Sequence, residues 1–198
     1  LYERLVHQEG RTELADNLAG AYMNKAVSVG ALGDHRGAVA LYDQTIAIYE
    51  RLVRQDYRTE LTDSLALAYM RKAYAVSAFG DKRSAVALYD QAIAIRERLV
   101  LQEGQTELAG DLAMTYQNKA ITVSDLGNYR GAAELYGQAI AIYERQVHQE
   151  GRTELANNLA ACYLNKANAS STLGDYQSAL ALYDQAIAIY ERQVHQEG

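Results

Sequence analysis

Apolar and polar residues alternate along the chain with the spacing of α-helices, in two blocks that recur. In the first block, apolar residues follow one another at steps of three and four from Leu14 to Val29, which places them on one face of a helix. A second block, from about His35 to Gln55, shows the same spacing. Each block is about 21 residues long, or roughly 30 Å of helix at 1.5 Å per residue. The pattern therefore predicts two helices of similar length.

A glycine followed by a short polar residue separates the two blocks. Gly33 is suited to the left-handed conformation that closes a helix, and the side chain of Asp34 is suited to cap the next one. Because this turn is tight, the two helices are expected to pack antiparallel. The corresponding residues later in the chain are Gly80 and Asp81, Gly127 and Asn128, and Gly174 and Asp175. Threonines before a glutamate are expected to cap the first helix of each pair, and these are Thr12, Thr59, Thr106 and Thr153.

The pattern of two helices recurs four times, at a fixed interval of 47 residues. The segment LYDQTIAI begins at Leu41, and copies or near copies begin at Leu88, Leu135 and Leu182. A fixed period of this size indicates a stacked repeat architecture. We interpret 1–198 as one solenoid domain with a partial helix at 1–10 and repeats at 11–57, 58–104, 105–151 and 152–198. Since 1–10 matches the end of a repeat and the first residue is not methionine, we expect a segment of a longer array.

Read from Tyr22, the repeat YMNKAVSVGALGDHRGAVALYDQTIAI resembles a tetratricopeptide repeat. It has an aromatic residue, a small residue four positions later, Gly-Asp at the turn, an alanine four positions after the aspartate, and then a tyrosine. The resemblance covers all four repeats. It implies an all-α fold, an α-solenoid of stacked antiparallel helix pairs that forms a right-handed superhelix. HEAT and armadillo arrays fit the period by length but do not account for the Gly-Asp turn.

The sequence departs from the familiar repeat in length and at two positions. The familiar unit has about 34 residues, and glutamate replaces the proline that usually ends its second helix, so longer second helices are expected. These glutamates are Glu50, Glu97, Glu144 and Glu191. Lysine also stands where the family prefers leucine, at Lys25, Lys72, Lys119 and Lys166. The lysines either form a ladder facing an acidic ligand or, as we favour, bury their stems and pair their ammonium groups with a nearby acidic or carbonyl group.

Small and aromatic residues are the expected core of each helix pair. Helices approach to 8–10 Å only where the side chains at the crossing are small, and Ala26, Ala38 and Thr45 supply such points in the first repeat. Tyr22, Tyr42 and their equivalents in the later repeats are expected to fill the remaining space, with each hydroxyl reaching a partner or water.

The four copies differ mainly on one stripe of the first helix, whereas the second helix is nearly constant. Residues three and four positions apart lie on one helical face, and the resemblance implies that this face grips extended peptides or partner helices. Drift at solvent-facing positions is the alternative, but several stripe residues are apolar, and clustered exposed apolar residues mark interaction surfaces. Asparagines beside them suit the backbone of a peptide. The candidate peptide-binding residues, called the first-helix stripe below, are Met23, Asn24, Val27, Leu67, Met70, Arg71, Tyr74, Met114, Gln117, Asn118, Ile121, Asp125, Leu164, Asn165 and Asn168.

Composition argues against several other classes of function. The net charge of −6 disfavours nucleic-acid binding, which needs a basic face, and no apolar run reaches the roughly 20 residues that cross a membrane. The sequence has no phosphate-binding glycine loop, and Cys162 is expected to be a small core residue. His7, His148 and His195 recur too far apart for a metal site. We expect no cofactor, no metal and no enzymatic activity, and a soluble, cytoplasmic protein.

These features predict a scaffold that binds a protein or peptide, with a structural spacer or a self-assembling array as the alternative. Solenoids normally close with a polar capping element, yet the last second helix, from about Tyr176 to Gln196, keeps the internal sequence. At the other end, Leu1, Leu5 and Val6 belong to a helix without its first half. Self-association through the uncapped ends is therefore expected, either head to tail or as a two-fold dimer.

Overall fold

The computed structural model describes residues 14–196, and this part of the chain folds into antiparallel pairs of α-helices. The first helices of the pairs are α1 (Ala15–Ala31), α3 (Thr62–Phe79), α5 (Ala109–Asp125) and α7 (Ala156–Thr172). The second helices are α2 (His35–Arg54), α4 (Lys82–Glu97), α6 (Tyr129–Glu144) and α8 (Tyr176–Gln196). The chain divides into two compact units, Leu1–Arg98 and Leu99–Gly198. The first unit contains α1 to α4 and the second contains α5 to α8.

The glycine turns within each pair form as the sequence predicts. Gly33 has φ of 87°, and the N–H of Asp34 donates to the carbonyl oxygen of Val29 at 3.2 Å, which closes α1. The carboxylate of Asp34 then accepts a 2.8 Å hydrogen bond from the N–H of Gly37 and caps α2. Equivalent caps lie at Asp81, Asn128 and Asp175. The predicted capping is confirmed at all four turns.

The predicted threonine caps of the first helices are wrong. Thr59, Thr106 and Thr153 each begin one turn of 3-10 helix, at Thr59–Leu61, Thr106–Leu108 and Thr153–Leu155. The residue that precedes each α-helix is then a leucine, whose side chain cannot accept a hydrogen bond. The chain tightens before the α-helix starts, which moves the threonine too far upstream to reach its first N–H groups. Thr12 lies outside the described residues.

The second helices continue past the glutamate that replaces the family's proline. α2 extends to Arg54, and the turns after Glu97 and Glu144 are π-helical, at Arg98–Gln102 and Arg145–Gln149. In the first unit, the connector after α2 places Tyr57 at φ of 54°, in the left-handed region. Glycine occupies the equivalent positions in the two following repeats, at Gly104 and Gly151, both at φ of 73°. The first repeat therefore holds a bulky residue in a conformation that favours glycine.

Alanines and tyrosines form the core of each unit. Ala26, Ala38 and Thr45 are buried at the crossing of α1 and α2, and the hydroxyl of Thr45 donates to the carbonyl oxygen of Leu41 at 3.0 Å. The small crossing residues predicted from the sequence are thus confirmed. The buried members of the two tyrosine series are Tyr42, Tyr69, Tyr89, Tyr116, Tyr136 and Tyr163, whereas Tyr22 and Tyr183 are half-buried.

Candidate functional site

In the first unit, the first-helix stripe exposes two large apolar residues at equivalent places in successive repeats. Tyr74 on α3 is 67% exposed, and Val27 on α1 is also exposed. Asn24 is exposed one turn before Val27, while Leu67 is half-buried. An exposed tyrosine carries a large apolar surface and a polar hydroxyl, which is the combination most used at protein interfaces.

Two methionines of the stripe are buried, which corrects the expectation that the whole stripe is open. Met23 and Met70 are each only 8% exposed. The sulfur of Met70 lies 3.6 Å from Nη1 of Arg96, a fully buried arginine on α4 whose Nε donates to Asp63 at 2.9 Å. Met70 therefore packs toward the second helix of its own repeat, and neither methionine offers much surface to a partner.

In the second unit, α5 packs beside α7, and the stripe again exposes apolar residues. Ile121 on α5 and Leu164 on α7 are exposed, and so are the polar residues Asp125 and Asn168. The remaining stripe residues of this unit are half-buried, and these are Met114, Gln117, Asn118 and Asn165. Exposed apolar residues and partly exposed amides thus lie on the same two neighbouring helices.

Some polar stripe residues already have partners within their unit. Arg71 is close to Tyr42; burial raises the pKa of Tyr42, and the guanidinium opposes part of that rise. The side-chain oxygen of Asn168 accepts a 2.6 Å hydrogen bond from the hydroxyl of Tyr183. Asn168 would therefore have to share or exchange this hydrogen bond in order to bind a peptide backbone.

A cleft of about 520 Å³ lies in the first unit, away from the first-helix stripe. It is bordered by α2, α3 and α4, and its walls include Val39, Val76 and Leu88. At its mouth, the guanidinium of Arg36 lies 5.2 Å from the ring centroid of Phe79, in cation–π geometry. Sequence analysis missed this cleft because its walls come from three helices of two repeats. The exposed aromatic Phe79, which replaces a leucine of the other repeats, was the available signal.

One face of α8 is more exposed than the equivalent faces of the other second helices. Ile187 is 51% exposed, whereas Ile46 on α2 is 7% exposed beneath α3. Leu180 and Val194 on α8 are also exposed. This face has the sequence of an internal repeat contact, as predicted. The predicted counterpart at Leu1, Leu5 and Val6 lies outside the described residues.

The histidines and the cysteine of residues 14–196 differ in their exposure. No group of three or more His, Cys, Asp and Glu side chains in this part of the chain could hold a metal ion, and His148 and His195 are exposed. Cys162 is fully buried, and burial raises the pKa of its thiol to about 12, so it is a core residue, as predicted, and a poor nucleophile. No helix of residues 14–196 is long and apolar enough to span a membrane.

The sequence matches the model of the tetratricopeptide repeat family in four segments, at residues 18–56, 65–103, 112–145 and 159–192. The chain belongs to the tetratricopeptide repeat family. The resemblance to this family that was inferred from the sequence is confirmed. Proteins built from these repeats are generally interaction scaffolds without catalytic activity. No curated protein sequence matches the chain.

Solved structures with the same fold include other tetratricopeptide-like arrays. MamA has a TM-score of 0.62 at 17% sequence identity, over 98% of this chain and 87% of MamA. BtubC (BKLC) from P. vanneervenii has a TM-score of 0.55 at 19% identity, over 97% and 86% of the two chains. A putative kinesin light chain of Podosopora anserina with nearly identical TPR-like repeats has a TM-score of 0.54 at 20% identity, over 90% and 97%. The all-α solenoid fold is thereby confirmed. At these sequence identities, the structural similarity is evidence for the fold only.

The glutamate that replaces proline in this tetratricopeptide variant joins successive repeats. In the first unit, the hydroxyl of Tyr69 on α3 donates to Glu50 of α2 at 2.7 Å. Tyr163 on α7 makes the same bond to Glu144 of α6 in the second unit. Burial raises the pKa of Tyr69 to about 12, and the acceptor Glu50 adds to the rise. A glutamate in this position therefore gives a buried tyrosine the hydrogen-bond partner it needs.

The lysine that replaces leucine in the tetratricopeptide pattern forms a second link in the first unit. The ammonium of Lys72 on α3 lies 2.6 Å from a carboxylate oxygen of Asp43 on α2, and the lysine side chain is 21% exposed. This arrangement confirms for Lys72 the favoured interpretation, a buried stem with a paired ammonium. Lys72 also borders the cleft between α2 and α4.

Proposed function

We propose that this tetratricopeptide array binds a peptide or helix of a protein partner against the first-helix stripe. The observation that carries the proposal is the exposure of Val27, Tyr74 and Ile121, which occupy the same position in three successive repeats. The second helices are nearly constant, whereas this position holds a different large apolar side chain in each of the first three repeats and Asn168 in the fourth. Exposed apolar residues that cost solubility and vary within a fixed framework are typical of a surface that selects a partner.

The exposed stripe residues, rather than the buried methionines, would supply the contacts. Tyr74 would contribute most in the first unit because it has the largest exposed surface of the stripe. In the second unit, Ile121 and Leu164 would contact apolar side chains of the partner, and the half-buried Asn165 would hydrogen-bond its backbone. A partner segment that is largely neutral and partly apolar fits this surface.

The test compares two double variants that introduce the same charges on different faces. Tyr74→Asp with Ile121→Asp places carboxylates in the stripe, whereas Ala94→Asp with Ala141→Asp places them on exposed positions of α4 and α6. Partners captured by the native chain are identified by mass spectrometry and their affinities are then measured for all three proteins. The stripe variant should bind at least about tenfold more weakly, as expected when hot-spot residues are lost. Circular dichroism should show equal helicity. Equal affinities for the two double variants would contradict the proposal.

The second candidate function, self-assembly, is favoured by the exposed face of α8. Ile187 and Val194 are exposed, whereas their equivalents Ile140 and Val147 are buried and half-buried where α6 packs against α7, so a first helix from another copy of the chain would fit there. Sedimentation measured over a hundredfold range of concentration tests this candidate. Ile187→Lys should reduce any association, and a constant monomer mass for the native chain would exclude it.

A further inference from the structure

The lysine link between repeats lacks its acidic half at one place in the second unit. The positions equivalent to Asp43 hold Asp90, Gly137 and Asp184, so only the third repeat has glycine there. Its partner by register is Lys166 on α7, which packs against α6 as α3 packs against α2. The first unit shows the complete pair, Lys72 with Asp43 at 2.6 Å. The second unit shows what the same site looks like without the carboxylate.

Lys166 lies directly over the space that an aspartate would fill. A Cβ atom built on Gly137 would lie 3.2 Å from the ammonium nitrogen of Lys166 and 4.0 Å from its Cε. No hydrogen bond or salt bridge of the Lys166 side chain is found within residues 14–196, and both residues are half-buried. A partly desolvated ammonium without a counter-charge gains more from a carboxylate than a fully hydrated one does.

We propose that the surface formed by α6, α7 and α8 around Lys166 binds an acidic side chain of a protein partner, whose carboxylate takes the place of the missing aspartate. The corresponding surface of the first unit is the cleft of about 520 Å³, and none of its bordering residues belongs to the first-helix stripe. The inference therefore concerns a second contact surface and does not depend on the function proposed above.

The surroundings of Lys166 favour an acidic residue next to an apolar one. Arg130 stands two repeats after Arg36 of the cleft, adds positive charge and is exposed. Leu173 stands two repeats after Phe79 and exposes about half of its surface, so it offers an apolar contact beside the charged site. The carboxylate of Asp175 is already engaged by the N–H of Ser178 at 3.1 Å, so it is occupied as a helix cap. Arg130 and Lys166 thus supply positive charge to this surface, although it also includes the exposed Glu134 on α6 and Asp184 on α8.

The test follows the ¹³Cε–¹Hε NMR signals of the lysines during titration with two tripeptides. The probes are Ac-Leu-Asp-Leu-NH₂ and Ac-Leu-Asn-Leu-NH₂, which differ in one carboxylate. The Lys166 signal should shift with the aspartate probe and respond at least about tenfold more weakly to the asparagine probe, while the paired Lys72 stays unaffected. Equal responses to both probes, or no response at Lys166, would overturn the proposal.

Two matched variants test whether the missing carboxylate itself makes the site. Gly137→Asp supplies the carboxylate from the chain itself and should abolish the response of Lys166. Asp43→Gly removes it in the first unit and should create the response at Lys72, with helicity checked by circular dichroism. A response of Lys166 that survives Gly137→Asp, or a silent Lys72 in folded Asp43→Gly, would show that the missing aspartate does not make the site. In a separate titration, a Lys166 shift with inorganic phosphate but not with the aspartate probe would indicate a site for free anions and overturn the assignment to a protein side chain.

Discussion

Replacing Gln146 by leucine or methionine should stabilise the second unit. The side chain of Gln146 is fully buried, and neither atom of its amide group has a hydrogen-bond partner among the described residues. Its oxygen lies 3.3 Å from the place where a Cβ of Gly110 would stand. At the equivalent positions, Leu52 and Leu99 are buried to the same degree with no polar atom to satisfy. A buried polar group without a partner costs about 1–3 kcal/mol, so removal of the amide should raise the free energy of unfolding by about that amount.

Urea unfolding followed by circular dichroism at 222 nm measures this increase in stability. With an m-value of about 2 kcal/mol/M, an increase of about 2 kcal/mol raises the midpoint of the transition that belongs to the second unit by about 1 M. Methionine has nearly the shape of glutamine, so its effect isolates polarity, whereas leucine reproduces the other repeats. Gln193→Leu on α8 is the matched control, because Gln193 is at the same position but half-exposed, and it should change the midpoint little.

A lower or unchanged midpoint for both Gln146 variants, at an unchanged m-value, would refute the reasoning. It would mean that the amide is hydrogen-bonded in the native state by a group outside the described residues or by water, and that this bond stabilises the fold at least as much as the apolar packing of leucine or methionine does. The residue would then be a structural polar contact and not an unsatisfied one.

The remaining predictions concern strain, packing and pH. Tyr57→Gly should raise the stability of the first unit by about 1 kcal/mol because φ of 54° suits glycine, measured by the urea midpoint; a decrease would show that the tyrosine side chain compensates for its backbone. Ala85→Leu should lower the stability of the first unit by about 1–3 kcal/mol because Ala85 is fully buried. An unchanged melting temperature would mean that α3 and α4 do not cross there. The pKa values of Tyr69 and Tyr143 are raised to about 12, so the folded chain keeps protons that the unfolded chain loses above pH of about 10. Stability should therefore fall as pH rises from about 10 to about 12, and a constant urea midpoint over this range would contradict the shifts.

Local features of the fold could be read from the sequence because their partners lie close in the chain. The cap at Asp34 joins residues three positions apart, and the conformation that closes α1 is a property of a single residue, Gly33. The first residue of each first helix could not be predicted as reliably. The same residues are compatible with a 3-10 turn and with an α-helical turn, and the position of Thr59 relative to the helix start differs between the two. The apolar periodicity thus predicts the presence of a helix better than it predicts the residue at which the helix begins.

Exposure within the candidate site depended on contacts that the repeat pattern does not contain. Met70 belongs to the variable stripe, but Arg96 of α4 covers its sulfur. At the position of Arg96 the other repeats have tyrosine, so the substitution was visible in the sequence although its consequence was not. Glu50 and Tyr69 are constant in all repeats, and their hydrogen bond explains both constancies at once. Two constant polar residues a fixed distance apart were therefore the signal for the inter-repeat link.

The two-sided design of each repeat has a consequence for how such a protein can change over generations. Every first helix carries the tyrosine donor, and every second helix carries the glutamate acceptor, as in the bonds of Tyr69 to Glu50 and Tyr163 to Glu144. Any copy can therefore follow any other, and the new junction is a working interface as soon as it forms. When nearly identical coding segments misalign during recombination, the array gains or loses whole units in a single event. The number of repeats can then change in one step, without an intermediate that needs further mutations in order to fold. Single substitutions such as glycine at position 137 distinguish one repeat from the next.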